Sequence, residues 1–371
     1  MAYSDFNYRR SRANIDLNSY VHNIKYFQEK CRPTKVMAVL KADGYGHGAF
    51  RLAKAAVENG IEYLAVAFLE EAIELRKCGI DCPILVLNYF EPKYVGHFLE
   101  HDLTATIYSE HQFEQLRHNL GGDKLKSHVI LDTGMARLGH KEIQTAKLID
   151  RMVSDSKIHL EGIYTHFSSA DDIDMSYTEL QYRRFKDIVS YVKDKVEFIH
   201  IANSAGALNF DAEMFDFIRL GIASYGMNPR NEERQDFLEP VLSWETTISF
   251  VKKIQKGEPV SYGRTFIAPD KMKVATIPIG YADGYNRLLS NKGQVLVKGE
   301  RCSILGRVCM DQFVVDVSHI TDVEEGERVV LLGKMGSEEI SSEEIADLIG
   351  TINYEITCNI SKRIPRRYLE I

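Results

Sequence analysis

The sequence predicts an α/β protein in which a (β/α)8 barrel of the TIM type is followed by a mostly β C-terminal domain. Three observations carry this. Eight short apolar runs alternate with helix-periodic stretches between residue 36 and about residue 220. After about residue 240 the helical period fades, and strand-like runs are separated by glycines and charged turns. A length of 371 residues suits two domains. The implied division is an N-terminal segment (1–15), a barrel (16–240) and a β domain (241–371); the run Ala13–Leu17 offers one more strand to the β domain. An open, doubly wound sheet is the alternative architecture.

In chain order, Val36–Leu40 reads as a strand buried on both faces. Lys41 stands where that run stops, followed by Gly44, Gly46 and Gly48 with Tyr45 and His47 between them. A lysine at the carboxyl end of a buried strand, beside glycines that let the backbone approach a ligand, suits an amine nucleophile. It reads equally as a rim lysine with its stem on apolar surface. Ala49, Leu52, Ala53, Ala56 and Val57 then share one helical face, and Gly60 stops the helix. The remaining strand runs are Tyr63–Ala67, Ile84–Leu87, Thr104–Ile107, His128–Leu131, Leu160–Tyr164, Phe198–Ile201 and Phe217–Leu220. Ala72, Ile73 and Leu75 before Gly79, and Phe185, Ile188, Val189 and Val192, mark later helices.

Beyond residue 240 the strand-like runs are Thr246–Val251, Val274–Pro278, Gln294–Val297, Phe313–Val317 and Arg328–Leu332. One late helix starts at Ser341, with Glu344 three residues on as a capping box, and ends at Gly350. Three stretches of this half look chemical: SYGRTF (261–266), PIGYADGYNR (278–287) and GRVCMDQFVVDV (306–317), the last with Met310 and Asp311. On its own, Tyr262 between a serine and a glycine also reads as a turn residue packed on a strand.

Composition excludes several function classes. Apolar content of 44% and charged content of 27% are those of an ordinary globular protein, and a net charge of −7 argues against a nucleic-acid surface. No apolar run approaches the ~20 residues that span a bilayer, and MAYSDFNYRRSRANID lacks the apolar core of a signal peptide, so a cytoplasmic location is expected. Cys31, Cys78, Cys82, Cys302, Cys309 and Cys358 are scattered, as suits free thiols; Cys78 and Cys82 lack a second pair at ligand spacing, and no metal site is expected.

In a barrel, catalytic groups lie just after the strands, and a phosphate sits near strands seven and eight. Lys41 follows strand one, Asp132 to Arg137 strand five, His166 strand six, and Asn203 and Ser204 strand seven; Arg219, Gly221 and Ile222 end strand eight. Ser204 and the amides near Gly221 suit a phosphate. Singly, each also reads as structural, His166 as a satisfied core histidine. Their shared place at strand ends is what points to a site.

The motifs together resemble the alanine racemase family, pyridoxal-phosphate (PLP) enzymes with a barrel and a β domain, over nearly the whole chain. VMAVLKADGYGHG (36–48) resembles its lysine motif, LDTGMARLG (131–139) its arginine loop and THFSSAD (165–171) its histidine loop. HIANSAGAL (200–208) and RLGIASYG (219–226) resemble its phosphate region, SYGRTF its tyrosine motif, and GRVCMDQF and YEITCNISKRIPRRY (354–368) complete the series. The resemblance implies interconversion of L- and D-alanine by two bases, with D-alanine supplied to bacterial cell wall. Lys41 would hold PLP as a Schiff base and then act on one face of the substrate; Tyr262, from the second subunit of a homodimer with shared sites, would act on the other. The resemblance places both bases in cationic surroundings, Arg137 and Arg219 among them.

By the same resemblance Arg219 faces the ring nitrogen of PLP, which it can only donate to. Tyr45, Asn203, Ser204, Gly221, Ile222 and Tyr354 join the cofactor site, the phosphate among its contacts. Arg137 meets the phenolic oxygen and the substrate carboxylate, which Met310 and Asp311 also approach from the other subunit. His166 links Tyr262 to Arg219, and Asp171, Tyr281 and Arg287 line the entrance. Two positions depart from the family: many members carry a carbamylated lysine seven residues before the loop arginine where this chain has Ile130, and Leu220 replaces a common proline. Rival readings are a racemase of another small amino acid, such as serine, and a non-catalytic single-barrel PLP protein, which would lack the β domain and Tyr262.

Overall fold

Eight short parallel strands close into a barrel, each pairing with the next in sequence and the last with the first. They are Lys35–Val39, Tyr63–Val66, Ile84–Val86, Thr104–Ile107, Leu125–Ile130, Ile158–Tyr164, Phe198–His200 and Phe217–Leu220. The computed structural model describes residues 8–211, 213–230 and 235–369; residues 1–7 of the expected N-terminal segment lie outside them. By contacts the chain forms two units. One is Val21–Gly44 with Ala49–Ser224, which holds the barrel; the other is Met1–Tyr20, Tyr45–Gly48 and Tyr225–Ile371. Among the described residues no helix is long and apolar enough to cross a membrane.

The barrel strands are apolar because helices cover their outer faces. Helix Ala49–Glu58 buries Leu52, Ala53, Ala55 and Ala56. Val57, expected on that face, is 36% exposed, because Ala55 and Ala56 already fill the contact. Helix Leu69–Lys77 buries Leu69, Ala72 and Leu75, and helix Ser176–Val192 buries Phe185, Ile188, Val189 and Val192. The barrel interior is not purely hydrocarbon. Tyr63, Thr104, Thr106, His128, Tyr164, His200 and Arg219 are all buried, and their polar atoms pair with one another or with backbone.

In the second unit nine strands form one path. The order is Phe250–Ile254, Met272–Ile277, Phe313–Asp316, Glu300–Leu305, Gln294–Val297, Arg328–Met335, Leu242–Thr247, Arg12–Asp16 and Arg366–Leu369; Glu338–Ile340 pairs with Arg328–Met335 off the path. Arg12–Asp16 runs antiparallel to Leu242–Thr247 and parallel to Arg366–Leu369. The run Thr246–Val251, expected as one strand, is two: the chain turns at Ile248 and Ser249, whose amides bond Glu327 and Thr276 carbonyls. Buried Ile248 sits in that turn and made the run look continuous. Ser341 caps helix Ser342–Ile349 and Gly350 ends it in the left-handed region, but the capping box is half made. Ser341 Oγ accepts the Glu344 amide, while the Glu344 carboxylate turns to Arg301 at 2.6 Å. A second helix, Asn353–Cys358, is too short for its period to register in the sequence.

Gly162, in the sixth barrel strand, shows how tightly the interior is filled. A Cβ there would lie 2.8–2.9 Å from three atoms of the His128 ring. Gly162→Ala should therefore lower stability by about 1–3 kcal/mol in urea unfolding, the range for overpacking a core. An unchanged midpoint would mean that the ring has room to move.

Candidate active site

Lys41 is presented by a strained turn. The strand ends at Val39, and Ala42, Asp43 and Gly44 then adopt left-handed conformations (φ 53°, 53° and 61°), with Tyr45 following at φ 53°. Three of these residues carry a Cβ, and such a conformation costs about 1–2 kcal/mol per residue. The turn is over-determined. Gly44 N bonds Leu40 O at 2.8 Å, and Ala49 N bonds Asp43 Oδ1 at 2.9 Å. The Glu71 carboxylate takes the amides of Ala42 (2.6 Å), Ala67 (2.8 Å) and Phe68 (3.1 Å). Gly46 and Gly48 do not serve the approach of a ligand, as the sequence suggested. A Cβ on Gly46 would lie 2.2 Å from Thr357 O, and one on Gly48 1.8 Å from the Tyr368 hydroxyl, so they let the chain pack on itself.

Arg219, at the end of the eighth strand, is 3% exposed and has no carboxylate partner among the described residues. Its guanidinium donates to His200 Nδ1 (2.8 Å), His166 Nδ1 (3.1 Å), Thr165 O (2.6 Å) and Ile201 O (2.9 Å), and lies over the Tyr164 ring. Burial, with the charge of Arg137 nearby, pulls its pKa down to about 10, which leaves it a cation at neutral pH. Because a guanidinium only donates, His166 Nδ1 is bare and its remaining proton sits on Nε2. Burial and the charges of Arg219, Arg137 and Lys41 push the His166 pKa well below its usual value, so the ring is neutral.

At the ends of strands seven and eight, Ser204 Oγ accepts the amides of Gly221 (2.9 Å) and Ala223 (3.4 Å), which leaves its own O–H to donate. Asn203, expected at the cofactor, has its amide group occupied: its oxygen caps helix Ser204–Asn209 through Gly206 N, and its nitrogen bonds Phe167 O. It positions Ser204 by holding the turn. Gly221 and Ile222 lead into a short helical turn, Ile222–Tyr225.

The arginine loop is built around Asp132. Its carboxylate takes the amides of Gly134 and Ala136 (2.9 Å each) and Lys141 Nζ (2.7 Å). Burial raises its pKa, but these bonds outweigh that and hold it below the usual carboxylate range. Arg137 projects from this loop, exposed, and makes no hydrogen bond or ion pair among the described residues. Ile130 is buried and apolar and offers it nothing. The loop is fixed through its backbone at Asp132.

In the second unit, Tyr45 lies against Tyr225 and Tyr354, with ring centroids 4.7 and 6.1 Å away. Separately, the three β-domain motifs come together. Tyr262 opens a helical turn in the hairpin Pro259–Val260/Phe266–Ile267, after Ser261 at φ 63°, and Ser261 Oγ bonds Arg307 O at 2.6 Å. Gly280 crosses the Cys309–Met310 backbone so closely that a Cβ would lie 2.3 Å from it. Val260, with Phe266 against it, seats the hairpin on the sheet. Tyr262 is 73% and Met310 53% exposed. The Asp311 carboxylate pairs with Arg363 at 2.8 Å. Of the expected entrance residues, Asp171, Tyr281 and Arg287 are all exposed; Asp171 belongs to the barrel unit and the other two to the β unit.

Sequence reasoning missed Glu161, His128 and His200, which stand behind Arg219 inside the barrel. The available signal was a charged or imidazole side chain within three strands that otherwise read as buried.

Comparisons with known proteins are consistent over the full length. A family model described as alanine racemase, N-terminal domain, matches residues 15–229, and one described as alanine racemase, C-terminal domain, matches 241–368. Alanine racemase 2 of Caldanaerobacter subterraneus subsp. tengcongensis is 41% identical over 369 residues, with 97% of this chain and 95% of the relative covered. The alanine racemase of Clostridium tetani is 40% identical over 368 residues, covering 96% and 95%. The crystal structure of alanine racemase from E. faecalis matches with a TM-score of 0.94 at 38% identity, covering 98% of this chain and 99% of that one.

Two outcomes follow from this geometry. In urea unfolding, Ala42→Gly should raise the unfolding free energy by about 1 kcal/mol of relieved strain, and Ala42→Val should lower it; the reverse order would show that the turn is unstrained. His128, His166 and His200 all have pKa values lowered in the folded chain. Below pH ~6.5 the unfolded chain binds protons that the folded chain does not, so unfolding free energy should fall as pH drops from neutral. His166→Asn should make that decline shallower; an equal decline would remove His166 from the cause.

Proposed function

The chain belongs to the alanine racemase family, and from that premise we propose that Lys41 and Tyr262 of the partner subunit are the two bases with which it interconverts L- and D-alanine. The family is PLP-dependent, and the residues present fit that cofactor. The fit rests on a buried guanidinium whose partners are all neutral, and on a serine hydroxyl gathered with backbone amides at the ends of strands seven and eight. Lys41 would supply the amine that holds the aldehyde; Ser204 Oγ–H, oriented by the Gly221 amide that it accepts, and the Ile222 amide, with Tyr45 and Tyr354, would hold the phosphate; Arg219 would donate to the ring nitrogen. When bound, PLP would supply an electron sink for the pair left when the Cα proton is removed.

The rest is the work of side chains. Lys41 Nζ takes or returns the proton on one face, and Tyr262 Oη of the partner subunit does so on the other. The high exposure of Tyr262 and Met310 supports a site completed by a second copy, and so a homodimer. His166, neutral, offers Nε2–H toward that tyrosine while Arg219 occupies Nδ1. Arg137, without another partner among the described residues, is available to the substrate carboxylate, and the Met310 backbone amide, with Asp311 next in the chain, would reach it from the partner copy. Arg219, a cation that only donates, would offer the ring nitrogen a hydrogen bond and would not protonate it. Asp171, Tyr281 and Arg287 line the way in. The six cysteines are free thiols, as suits a cytoplasmic enzyme that supplies D-alanine for cell wall.

The single observation that carries the reading is the buried, carboxylate-free Arg219. The test is subunit mixing. Lys41→Ala should lose the visible absorbance of lysine-bound PLP, and Lys41→Ala and Tyr262→Phe should each be nearly inactive on L-alanine by circular dichroism. Unfolded and refolded together in equal amounts, they should regain about one quarter of wild-type activity, because half the dimers are mixed and each has one intact site. No recovery, with mixed dimers present, would place both bases in one chain. The same assay on L-serine gives a much lower rate if the pocket selects alanine.

A further inference from the structure

Behind Arg219 a line of buried polar groups crosses the barrel interior. Arg219 Nη1 meets His200 Nδ1 at 2.8 Å, His200 Nε2 meets His128 Nδ1 at 2.8 Å, and His128 Nε2 meets Glu161 Oε2 at 3.1 Å. The Tyr63 hydroxyl (2.8 Å) and Thr104 Oγ1 (3.3 Å) also donate to Glu161 Oε2. Arg219, His200 and His128 are all at most 3% exposed. Tyr164 stacks on His200 at 4.8 Å and 8°, and Gly162 leaves just the space the His128 ring fills.

The proton positions follow from chemistry alone. A guanidinium has no acceptor, so His200 Nδ1 must be bare and its proton lies on Nε2. That N–H points at His128 Nδ1, which must therefore accept, so the His128 proton lies on Nε2 and donates to Glu161. An imidazolium at His200 would set donor against donor. Every bond in the line runs one way, from the cation to the carboxylate. We propose that Glu161, His128 and His200 are positioning residues for Arg219: a one-way hydrogen-bond chain that balances its charge at a distance through two neutral imidazoles and keeps a carboxylate away from the guanidinium itself. A carboxylate in direct contact would neutralise Arg219 and compete for its donors; the relay leaves it cationic and oriented. For the reaction, this rests on the assignment of Arg219 to the cofactor's ring nitrogen.

Burial raises the Glu161 pKa, but its bonds to His128, Tyr63 and Thr104 outweigh that and hold it lowered, so the far end of the line is an anion.

The test uses holoenzyme with isotope-labelled histidine. Nitrogen NMR should show His128 and His200 as neutral, protonated on Nε2, across pH 6 to 8; a proton on Nδ1 of either, or an imidazolium, overturns the relay. Glu161→Gln removes the charge at nearly constant shape. It should lower kcat about tenfold, the scale for removing the partner that orients a functional side chain, with KM for alanine changed less than about twofold and the visible cofactor band shifted. Tyr63→Phe, which keeps the anion and removes one donor to it, should leave kcat and the band near wild type. If the two variants behave alike, Glu161 only packs and the proposal fails. Should Glu161→Gln not fold, the wild-type proton positions decide. Failure of the two-base assignment would instead appear in subunit mixing, with the histidine protons as described.

Discussion

A guanidinium taken out of water must be compensated, and the effective penalty for leaving it uncompensated is several kcal/mol. Arg219 meets this with two imidazole nitrogens, two carbonyls and an aromatic face. No acid touches it. That arrangement explains much of what surrounds it. The histidines must be neutral and bare at Nδ1, which fixes His166 with its N–H turned away from Arg219 and His200 with its N–H turned into the barrel. The interior must be polar along one line, where barrels ordinarily fill with aliphatic layers. Gly162 must lack a side chain to make room.

The same local excess of positive charge suits an anionic cofactor and an anionic substrate group. Lys41, Arg137 and Arg219 all bear on His166. The field favours bound phosphate and carboxylate and resists protonation of anything between them. Strain adds to this: consecutive left-handed residues after Lys41 are held by Glu71 and Asp43, and such over-determined strain gathers where a reactive side chain needs one fixed orientation. In the β unit the tight crossing of Gly280 over Cys309–Met310, together with the seated hairpin, turns three separated motifs into one platform for Tyr262 and Met310.

Much of this was legible in the sequence, for identifiable reasons. The barrel strands announced themselves because both faces are buried, so their runs are continuous; each was located to within a few residues, down to Phe217–Leu220. The Ser341 helix was legible from its cap and Gly350 from its stop. The two strands merged as Thr246–Val251 were not separable, because buried Ile248 sits in the turn between them. Gly46 and Gly48 looked like ligand-facing residues, and a sequence cannot say whether a close approach is to a ligand or to Thr357 and Tyr368, some three hundred positions away. Lys41, His166, Ser204 and Arg219 stood out by their place at strand ends. Glu161, His128 and His200 did not, because their partners lie on other strands and only barrel closure aligns them.

The site depends on Arg219 being a permanent donor that no described residue neutralises by contact. The most direct measurement is the nitrogen NMR spectrum of holoenzyme reconstituted with PLP isotope-labelled at its ring nitrogen. The signal should be that of an unprotonated pyridine accepting a hydrogen bond, unchanged across neutral pH. A pyridinium signal would contradict the account, since a protonated ring nitrogen has no lone pair for a guanidinium to meet.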